Sequence, residues 1–323
     1  MPTRLDARVL ALSKDPDQPS GYQDACAVDA RRRIAAIADG VSSSIFSGPW
    51  ATILTEAAVG DAPDPAEQDL FAAWLATQRR LWASRIDTSS LAWFQRAKLP
   101  MGAFSTLLWV RVLEAQQAAA GSFGGYRLLA HAIGDSCLFQ VRRGELVRSF
   151  PIQSSAELDA DPMVLGSVDL KRDQLLRFAA LEEFCYPEDL LILCTDALAQ
   201  WALRQYESAR PPDWDRYWNM SPEEWRARIG SLRQERQMQE DDTTLVLLRV
   251  VDSRVESGPA ADSTEPQSEA AGLEWIHSAS KEVKSVSAQV AQQVDQASER
   301  VWKGLKSFKD KAVKKYRDKF GKK

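Results

Sequence analysis

Apolar runs of strand length alternate with longer amphipathic stretches along the first 251 residues of the chain. Runs typical of strands occur at 8–13, 24–30, 33–39, 103–114, 126–133, 137–142 and 243–251, and in the segments LLRFAAL and LLILCT. Stretches with the helical period occur at 45–59, 66–86, 89–98, 197–208 and 221–238. In VRRGEL, a glycine between two strand-like runs is typical of a hairpin turn. This order predicts an α+β fold, an antiparallel β-sandwich flanked by helices.

The composition changes abruptly after residue 251. Residues 252–272 are rich in Ser, Ala, Pro and acidic residues, which predicts a flexible acidic linker. Residues 273–323 contain 13 Lys and Arg against 6 Asp and Glu, a net charge of +7. Of the 41 basic and 45 acidic residues, the rest of the chain therefore keeps 28 and 39, a net charge of −11. We predict three parts: a globular domain at 1–251, the linker, and a basic amphipathic helix at 273–323.

The basic segment carries an apolar stripe at helical spacing. The stripe consists of Val290, Val294, Ala297, Val301, Leu305, Phe308, Ala312, Tyr316 and Phe320. Lysines occupy the remaining faces, a pattern typical of a helix that lies on an anionic membrane. Docking on an acidic protein, or on the chain's own acidic domain, is one alternative, and a solvated helix or disordered extension is another. Nucleic acid is a poor candidate because the interleaved Arg and aromatic residues that stack on bases are missing.

The composition favours a soluble cytoplasmic protein. Hydrophobic residues make up 45% of the chain, and no apolar run approaches the length of a membrane span or of a signal-peptide core. The four cysteines, Cys26, Cys137, Cys185 and Cys194, show no CxxC spacing. We interpret them as small core residues of a protein in a reducing compartment. Peripheral attachment to the inner face of the membrane, through the basic helix, is the further expectation for its location.

Acidic residues stand at the ends of several predicted strands. They are Asp24 before one strand, Asp39, Asp135 and Asp196 after three others, and the pair Asp241–Asp242 before the last one. Each residue alone is also typical of a turn or of a strand end. Together they are expected to converge on one edge of the sheets, where carboxylates repel one another unless a cation neutralises them. Oxygen ligands favour Mg²⁺ or Mn²⁺ over zinc, and the two histidines, His131 and His277, lie in unrelated segments.

The order of the motifs resembles that of the PP2C-type (PPM) metal-dependent serine/threonine protein phosphatases, in particular the bacterial ones. The matching segments are, in order, QDACAV, AIADGVS, GAFSTLLWVRV, AIGDSCLFQVRRGEL, DLLILCTDAL and DDTTLVLLRV. No one of these motifs is decisive, but six of them in the right order make chance a poor explanation. The resemblance implies the same α+β fold, and hydrolysis of phosphoserine and phosphothreonine by a metal-activated water without a covalent intermediate.

The resemblance also assigns ligands for two ions of Mn²⁺ or Mg²⁺ and for a third, looser ion. It implies that Asp39 bridges the first two ions and that Gly40 contributes its carbonyl oxygen. Asp196 and Asp241 are implied to complete the first ion, so that the catalytic set is Asp39, Asp196 and Asp241.

The remaining implied metal ligands are Asp24 and Asp135. Asp24 would support the second ion and its waters, and Asp135 would hold the third ion together with Asp196. Gln23 precedes Asp24 where an acidic residue is common in the family, and a neutral amide would weaken the second ion.

The phosphate-binding part of the family pattern is missing. Many members have an Arg that grips the substrate phosphate; Pro19 stands at this position, and the nearest upstream base is Lys14. Members often have a His after the Asp-Gly motif that can protonate the leaving group. The segment VSSSIFSG has serines there, and a serine is no general acid at neutral pH. Ala197 follows Asp196 where the family has glycine. No substrate-binding residue is therefore assigned.

Three hypotheses about function remain open. The first is a metal-dependent phosphatase that acts on a phosphorylated protein and opposes a cognate kinase. The second is a pseudophosphatase that binds phosphoproteins or serves as a membrane-recruited scaffold. The third is a mainly architectural protein whose basic helix recruits it to a membrane. Metal-dependent hydrolysis of a small phosphate ester separates the first hypothesis from the other two.

Overall fold

A computed structural model describes residues 4–15, 17, 21–89, 91–117, 123–159, 161–169 and 176–251. The predicted linker and basic helix, 252–272 and 273–323, lie outside the described residues, so the division of the chain into three parts stays a prediction. Within the described ranges, no helix has the length and apolar character needed to cross a membrane.

Two five-stranded antiparallel sheets form the centre of the structure. The first sheet has, in spatial order, β1 (Arg4–Leu12), β12 (Thr243–Val251), β11 (Asp189–Cys194), β7 (Cys137–Arg142) and β8 (Glu145–Phe150). The second has β10 (Ala179–Cys185), β6 (Phe123–Ile133), β5 (Leu107–Gln117), β3 (Ile34–Ala38) and β2 (Ala25–Asp29). A short ladder joins β4 (Phe104–Ser105) to β9 (Leu165–Gly166).

Helices cover the outer faces of both sheets. They are α1 (Ser47–Asp61), α2 (Gln68–Arg85), α3 (Trp93–Lys98), α4 (Asp196–Glu207), α5 (Trp214–Trp218) and α6 (Pro222–Gln234). Helix α1 packs on β2, β3 and β5 of the second sheet, whereas α4 contacts β12 and α6 contacts β1 of the first sheet. Helix α6 begins with a capping box: the Ser221 hydroxyl accepts from Glu224 N, and the Glu224 carboxylate accepts from Ser221 N.

The strands of the first sheet bury side chains on both faces. Alternate residues of β12, such as Val246 and Leu248, face the second sheet and form the core between the two sheets. The residues between them, such as Leu247, belong to a second core with Trp201 of α4 and Trp225 of α6. A strand buried on both faces reads as a continuous apolar run, which is the pattern of TLVLLRVV in the sequence.

The predicted α+β class, an antiparallel β-sandwich flanked by helices, is confirmed. The hairpin between β7 and β8 is confirmed as well, with φ values of +52° at Arg143 and +82° at Gly144. The strand predicted in LLRFAAL instead begins at Ala179 and continues to Cys185. It is an edge strand whose side chains alternate in burial, and Glu182 pairs with Arg127 of the neighbouring β6. A search for apolar runs misses such a strand, because a charged residue suits a sheet edge.

We expect Leu248→Ala to lower the free energy of unfolding by about 2–5 kcal/mol, because Leu248 is fully buried between the sheets and the substitution leaves a cavity. Leu70→Ala is the matched control, since Leu70 is 58% exposed, and its effect should stay within about 0.5 kcal/mol. Urea denaturation of both variants measures the difference. Equal losses would contradict the placement of Leu248 in the core.

Candidate metal centre

The strand register brings the acidic strand ends to one edge of the two sheets. In the second sheet, Ala25 pairs with Ala38, so that the residue before β2 and the residue after β3 are neighbours. In the first sheet, Cys194 pairs with both Cys137 and Leu245, which aligns the end of β11 with the starts of β7 and β12. We name the side chains at this edge the acidic cluster: Asp24, Asp39, Asp135, Asp196 and Asp241.

Asp39 is held by its backbone, which leaves its carboxylate for the cluster. Asp39 N donates to Thr106 Oγ1 over 2.9 Å, and Asp39 O accepts from Ser105 Oγ over 2.8 Å and from Thr106 N over 2.9 Å. The next residue, Gly40, lies so close to the start of β2 that a Cβ atom would come within 2.6 Å of Gln23 O. Only glycine therefore allows this approach of the two backbones.

Asp24 ties the two sheets together with one of its oxygens. Its Oδ2 accepts from Thr195 Oγ1 over 3.0 Å and from Thr244 Oγ1 over 2.7 Å, and both threonines stand at strand ends of the first sheet. Its Oδ1 is buried and has no hydrogen-bond partner among the residues that the structure describes. Because burying an unpaired carboxylate oxygen is costly, this atom indicates that a cation belongs in the cluster.

The adjacent acids Asp241 and Asp242 have different partners. Asp242 is 3% exposed, and its two oxygens accept from Lys14 N and Gln23 N, each over 2.8 Å. Its carboxylate is therefore occupied in fixing the two ends of the segment that connects β1 to β2. Asp241 is more open to solvent and forms an ion pair with the Lys14 ammonium at 3.2 Å. Asp241 thus belongs to the acidic cluster, and Asp242 supports it.

The electrostatics of Asp39 show that the five carboxylates are close together. Burial raises the pKa of Asp39 well above its usual value, and the neighbouring carboxylates of Asp24, Asp196, Asp135 and Asp241 raise it further, in decreasing order. A buried carboxyl group with four other carboxylates nearby keeps its proton unless a cation compensates the negative charge. All five predicted carboxylates therefore lie at one site, while their role as metal ligands stays a prediction.

The pKa values of Asp196 and Asp135 are raised as well. Burial raises the pKa of Asp196, as does Asp241, whereas hydrogen bonds from its own helix at Ala197 and with the Asp39 carboxyl lower it. A hydrogen bond between two carboxyl groups requires a proton between them. Burial, followed by the charge of Asp196, raises the pKa of Asp135 to about 7.

The donor set suits a hard divalent cation. Carboxylate oxygens are the ligands that Mg²⁺ and Mn²⁺ prefer, and an orphaned oxygen such as Asp24 Oδ1 is the kind of atom that a cation satisfies. Over the described ranges, however, no three His, Cys, Asp or Glu side chains are arranged to hold one ion by themselves. An ion here would accordingly use one or two carboxylates together with backbone oxygens and water, which is common for Mg²⁺.

The supporting roles of three residues were not predicted from the sequence. Thr195 and Thr244 fix Asp24, but neither is distinguished in sequence from an ordinary strand-end residue. Asp242 was noted as an acidic residue at a strand end, but its hydrogen bonds to Lys14 N and Gln23 N were not predicted. Pro19, which stands where the family has its phosphate-binding Arg, lies outside the described residues.

Comparisons with known proteins place serine/threonine phosphatases among the similar solved structures. The catalytic domain of PstP in complex with two manganese ions is 20% identical, with 77% of this chain and 100% of that chain covered and a TM-score of 0.45. Stp1 from Staphylococcus aureus is 14% identical, with 78% and 97% covered and a TM-score of 0.47. PppA of Pseudomonas aeruginosa, a regulatory component of the type VI secretion system, is 16% identical, with 77% and 100% covered and a TM-score of 0.46.

No protein-family model and no curated protein matches the chain. The matched structures are of the class that the sequence motifs resemble. Identities below 25% and TM-scores below 0.5 do not transfer an activity, so the functional conclusion depends on the residues of the acidic cluster.

The raised pKa of Asp135 predicts a pH-dependent stability of the metal-free protein. Its pKa is about 7 in the folded chain and about 4 in the unfolded chain, so the folded state holds the proton more tightly. Stability is therefore lost as the pH rises from about 4 to about 7. In EDTA, Asp135→Asn should melt several degrees above the unsubstituted chain at pH 8, and this difference should vanish near pH 4.

Thermal unfolding followed by circular dichroism measures this difference. Asp215→Asn is the control, because the side chain of Asp215 is 81% exposed and lies outside the cluster. A difference in melting temperature that is the same at pH 8 and pH 4 would contradict the assignment of the buried charge.

Proposed function

We propose that the chain is a divalent-metal-dependent phosphatase that removes phosphate from phosphoserine and phosphothreonine of proteins. The observation that carries this proposal is the convergence of five carboxylates, of which Asp24 and Asp135 are buried, on one sheet edge. Among the residues that the structure describes, one of their oxygens, Asp24 Oδ1, has no hydrogen-bond partner. Such a cluster is too repulsive for a purely structural role, and its oxygen donors suit Mn²⁺ or Mg²⁺. The solved structure of PstP with two manganese ions supports the choice of metal.

The residues of the acidic cluster and their neighbours have distinct roles under this proposal. When bound, divalent cations supply a water that is acidic enough to react at neutral pH and a clamp on the phosphoryl oxygens. Asp39, Asp196 and Asp241 would hold these cations, with Asp24 and Asp135 at the periphery and the carbonyl of Gly40 as a further ligand. The hydrogen bonds of Thr106 and Ser105 to the Asp39 backbone keep the central carboxylate in place before substrate arrives.

The serines of the loop after Asp39 serve its structure. Ser44 Oγ donates to Val41 O over 2.8 Å and accepts from Phe104 N over 3.1 Å. Ser42 Oγ donates to Gln23 Oε1 over 2.7 Å. Because these hydroxyls are engaged and are too weakly acidic, the proton for the leaving alkoxide would come from water. This predicts slower turnover than an enzyme with a positioned imidazole.

A phosphoprotein-binding pseudophosphatase is the second candidate. The observation in its favour is the neutral Gln23 beside Asp24, in contact with the Lys14 ammonium at 3.1 Å, where the family resemblance implies an acidic side chain and a cation. A chain that kept the acidic cluster but bound no divalent cation would keep the surface that binds a phosphoprotein but would not hydrolyse the phosphate ester.

Metal-dependent turnover distinguishes the two candidates. We expect the full chain to hydrolyse p-nitrophenyl phosphate with Mn²⁺ and to lose this activity in EDTA. Asp39→Asn, Asp196→Asn and Asp241→Asn should each reduce kcat by at least about 100-fold, because each removes a charged ligand. Release of p-nitrophenol is followed by absorbance.

Asp215→Asn serves as the control for these variants, since this exposed acid lies outside the cluster. Undiminished turnover in excess EDTA would overturn the metal mechanism. Absence of turnover with Mn²⁺ in the unsubstituted chain, while a phosphopeptide still binds, would favour the pseudophosphatase.

We also propose that residues 273–323 direct the enzyme to an anionic membrane surface, where its phosphoprotein substrate and the opposing kinase would meet it. The support for this lies in the sequence alone: a net charge of +7 on a segment whose apolar residues recur at helical spacing, joined to an acidic remainder of −11. Each lysine near an anionic bilayer contributes about 1 kcal/mol to binding.

Vesicle sedimentation tests the membrane proposal. Vesicles with anionic lipid should sediment the full chain but not a chain truncated after residue 251, and added salt should release the full chain because it screens charge. The truncated chain should keep its activity on p-nitrophenyl phosphate. Equal binding to neutral and anionic vesicles would contradict the electrostatic attraction, and no binding to either would favour docking on a protein.

A further inference from the structure

The ammonium group of Lys14 lies at one corner of the acidic cluster and has the surroundings of a bound cation. Its Nζ lies 3.1 Å from Gln23 Oε1, 2.5 Å from Ser42 Oγ and 3.2 Å from Asp241 Oδ1. An ammonium group has three N–H donors and no acceptor. The three oxygens use all of these donors, so the group is held as a metal ion is held, by oxygen ligands converging from three separate segments.

The position of this lysine is built into the backbone. Lys14 N and Gln23 N donate to the two oxygens of the same buried carboxylate, Asp242. The side-chain amide of Gln23 is oriented at its other end, where Nε2 donates to Ser47 Oγ over 2.7 Å. This bond turns Gln23 Oε1 towards the ammonium, and Ser42 Oγ donates to the same oxygen. Both the lysine and its ligands are therefore fixed independently of any metal.

The charges at this corner are balanced without a metal. The Lys14 ammonium offsets the carboxylate of Asp241, and the amide of Gln23 adds no charge. A divalent cation that approached this corner would meet a positive charge in contact with the oxygens it needs.

We infer that the Lys14 ammonium takes the place of a divalent cation at the corner formed by Gln23, Ser42 and Asp241. The chain then supplies one cation of the acidic cluster itself and binds fewer metal ions than the oxygens of the cluster would otherwise hold. This inference rests on the proposed function in one respect: both require that the rest of the acidic cluster binds Mn²⁺. The lysine is a positioning residue, since it acts through the carboxylate and the amide it contacts.

Equilibrium dialysis of the full chain against Mn²⁺ tests the inference without measuring turnover. Lys14→Met removes the charge and keeps the length of the side chain. We expect this variant to bind one Mn²⁺ more per chain than the unsubstituted protein, or to bind its weakest Mn²⁺ at least about tenfold more tightly, because a repulsive charge is lost. In EDTA, the same variant should melt at a lower temperature, since the remaining carboxylates are no longer offset.

Lys98→Met is the matched control. Its ammonium donates to Ser43 O over 2.9 Å on the same loop but contacts none of the five carboxylates, so neither Mn²⁺ binding nor the melting temperature in EDTA should change. Lys14→Gln is the second variant, with a neutral polar side chain, in case the thioether does not allow folding. The two Lys14 variants should agree in the number of Mn²⁺ bound.

The outcomes separate the inference from the proposed function. If the unsubstituted chain binds Mn²⁺ and the Lys14 variants bind the same number with the same affinity, the inference is overturned and the proposed function stands. If Lys14→Met changes only the KM for p-nitrophenyl phosphate, the lysine contacts the substrate phosphate instead, which also overturns it. If no variant binds Mn²⁺, both are overturned.

Discussion

Repulsion among five carboxylates at one sheet edge is the constraint around which the structure is arranged. Each of these groups would be ordinary at an exposed strand end, but burial brings Asp24, Asp39, Asp135 and Asp196 into an environment where charge is poorly screened. The upward pKa directions of Asp39 and Asp196 follow from burial and from the neighbouring charges. If the cluster served only the stability of the fold, neutral side chains in place of the carboxylates would serve better, because they would relieve the repulsion.

The surrounding structure resists this repulsion by two kinds of contact. Hydrophobic packing between and outside the sheets fixes the strands, so the strand ends cannot move apart. Hydrogen bonds then fix the individual carboxylates: the hydroxyls of Thr195 and Thr244 hold Asp24 across the two sheets. The cluster is thus strained by a rigid frame, and strain of this kind is typical of functional sites rather than of structural ones.

The fold class could be predicted from the sequence because hydrophobic periodicity dominates it. Strands such as β12, buried on both faces, and helices such as α4 give long, regular patterns. The edge strand β10 was placed too early in the chain, because Glu182 and Glu183 interrupt the apolar run that a buried strand would show, and such charged residues suit a solvent-facing edge. The acidic residues of the site could be found from their positions at strand ends, since the antiparallel register brings such ends together.

The partners of the site residues could not be predicted in the same way. That Asp242 binds two backbone N–H groups while Asp241 faces the cluster depends on how the β1–β2 connection meets the segment before β12. Local sequence does not distinguish the two residues, and only the family resemblance favoured Asp241. The contact between Lys14 and Gln23 joins residues whose connecting segment has no periodic pattern. Side-chain hydrogen bonds between loops follow from tertiary structure, and no local propensity encodes them.

The division of labour between Asp241 and Asp242 has a consequence for how the chain can evolve. The two acids precede a strand whose residues pair one by one with β1, beginning with Thr243 opposite Leu12. A slip of β12 by one residue would move one of the two acids into the place of the other and displace the second, and it would also turn the side chains of the strand to the opposite faces. Packing against two different cores therefore also fixes the position of the acids. A sequence that kept both acids but no longer placed Val246 in the core between the sheets and Leu247 in the outer core would lose the site together with the packing.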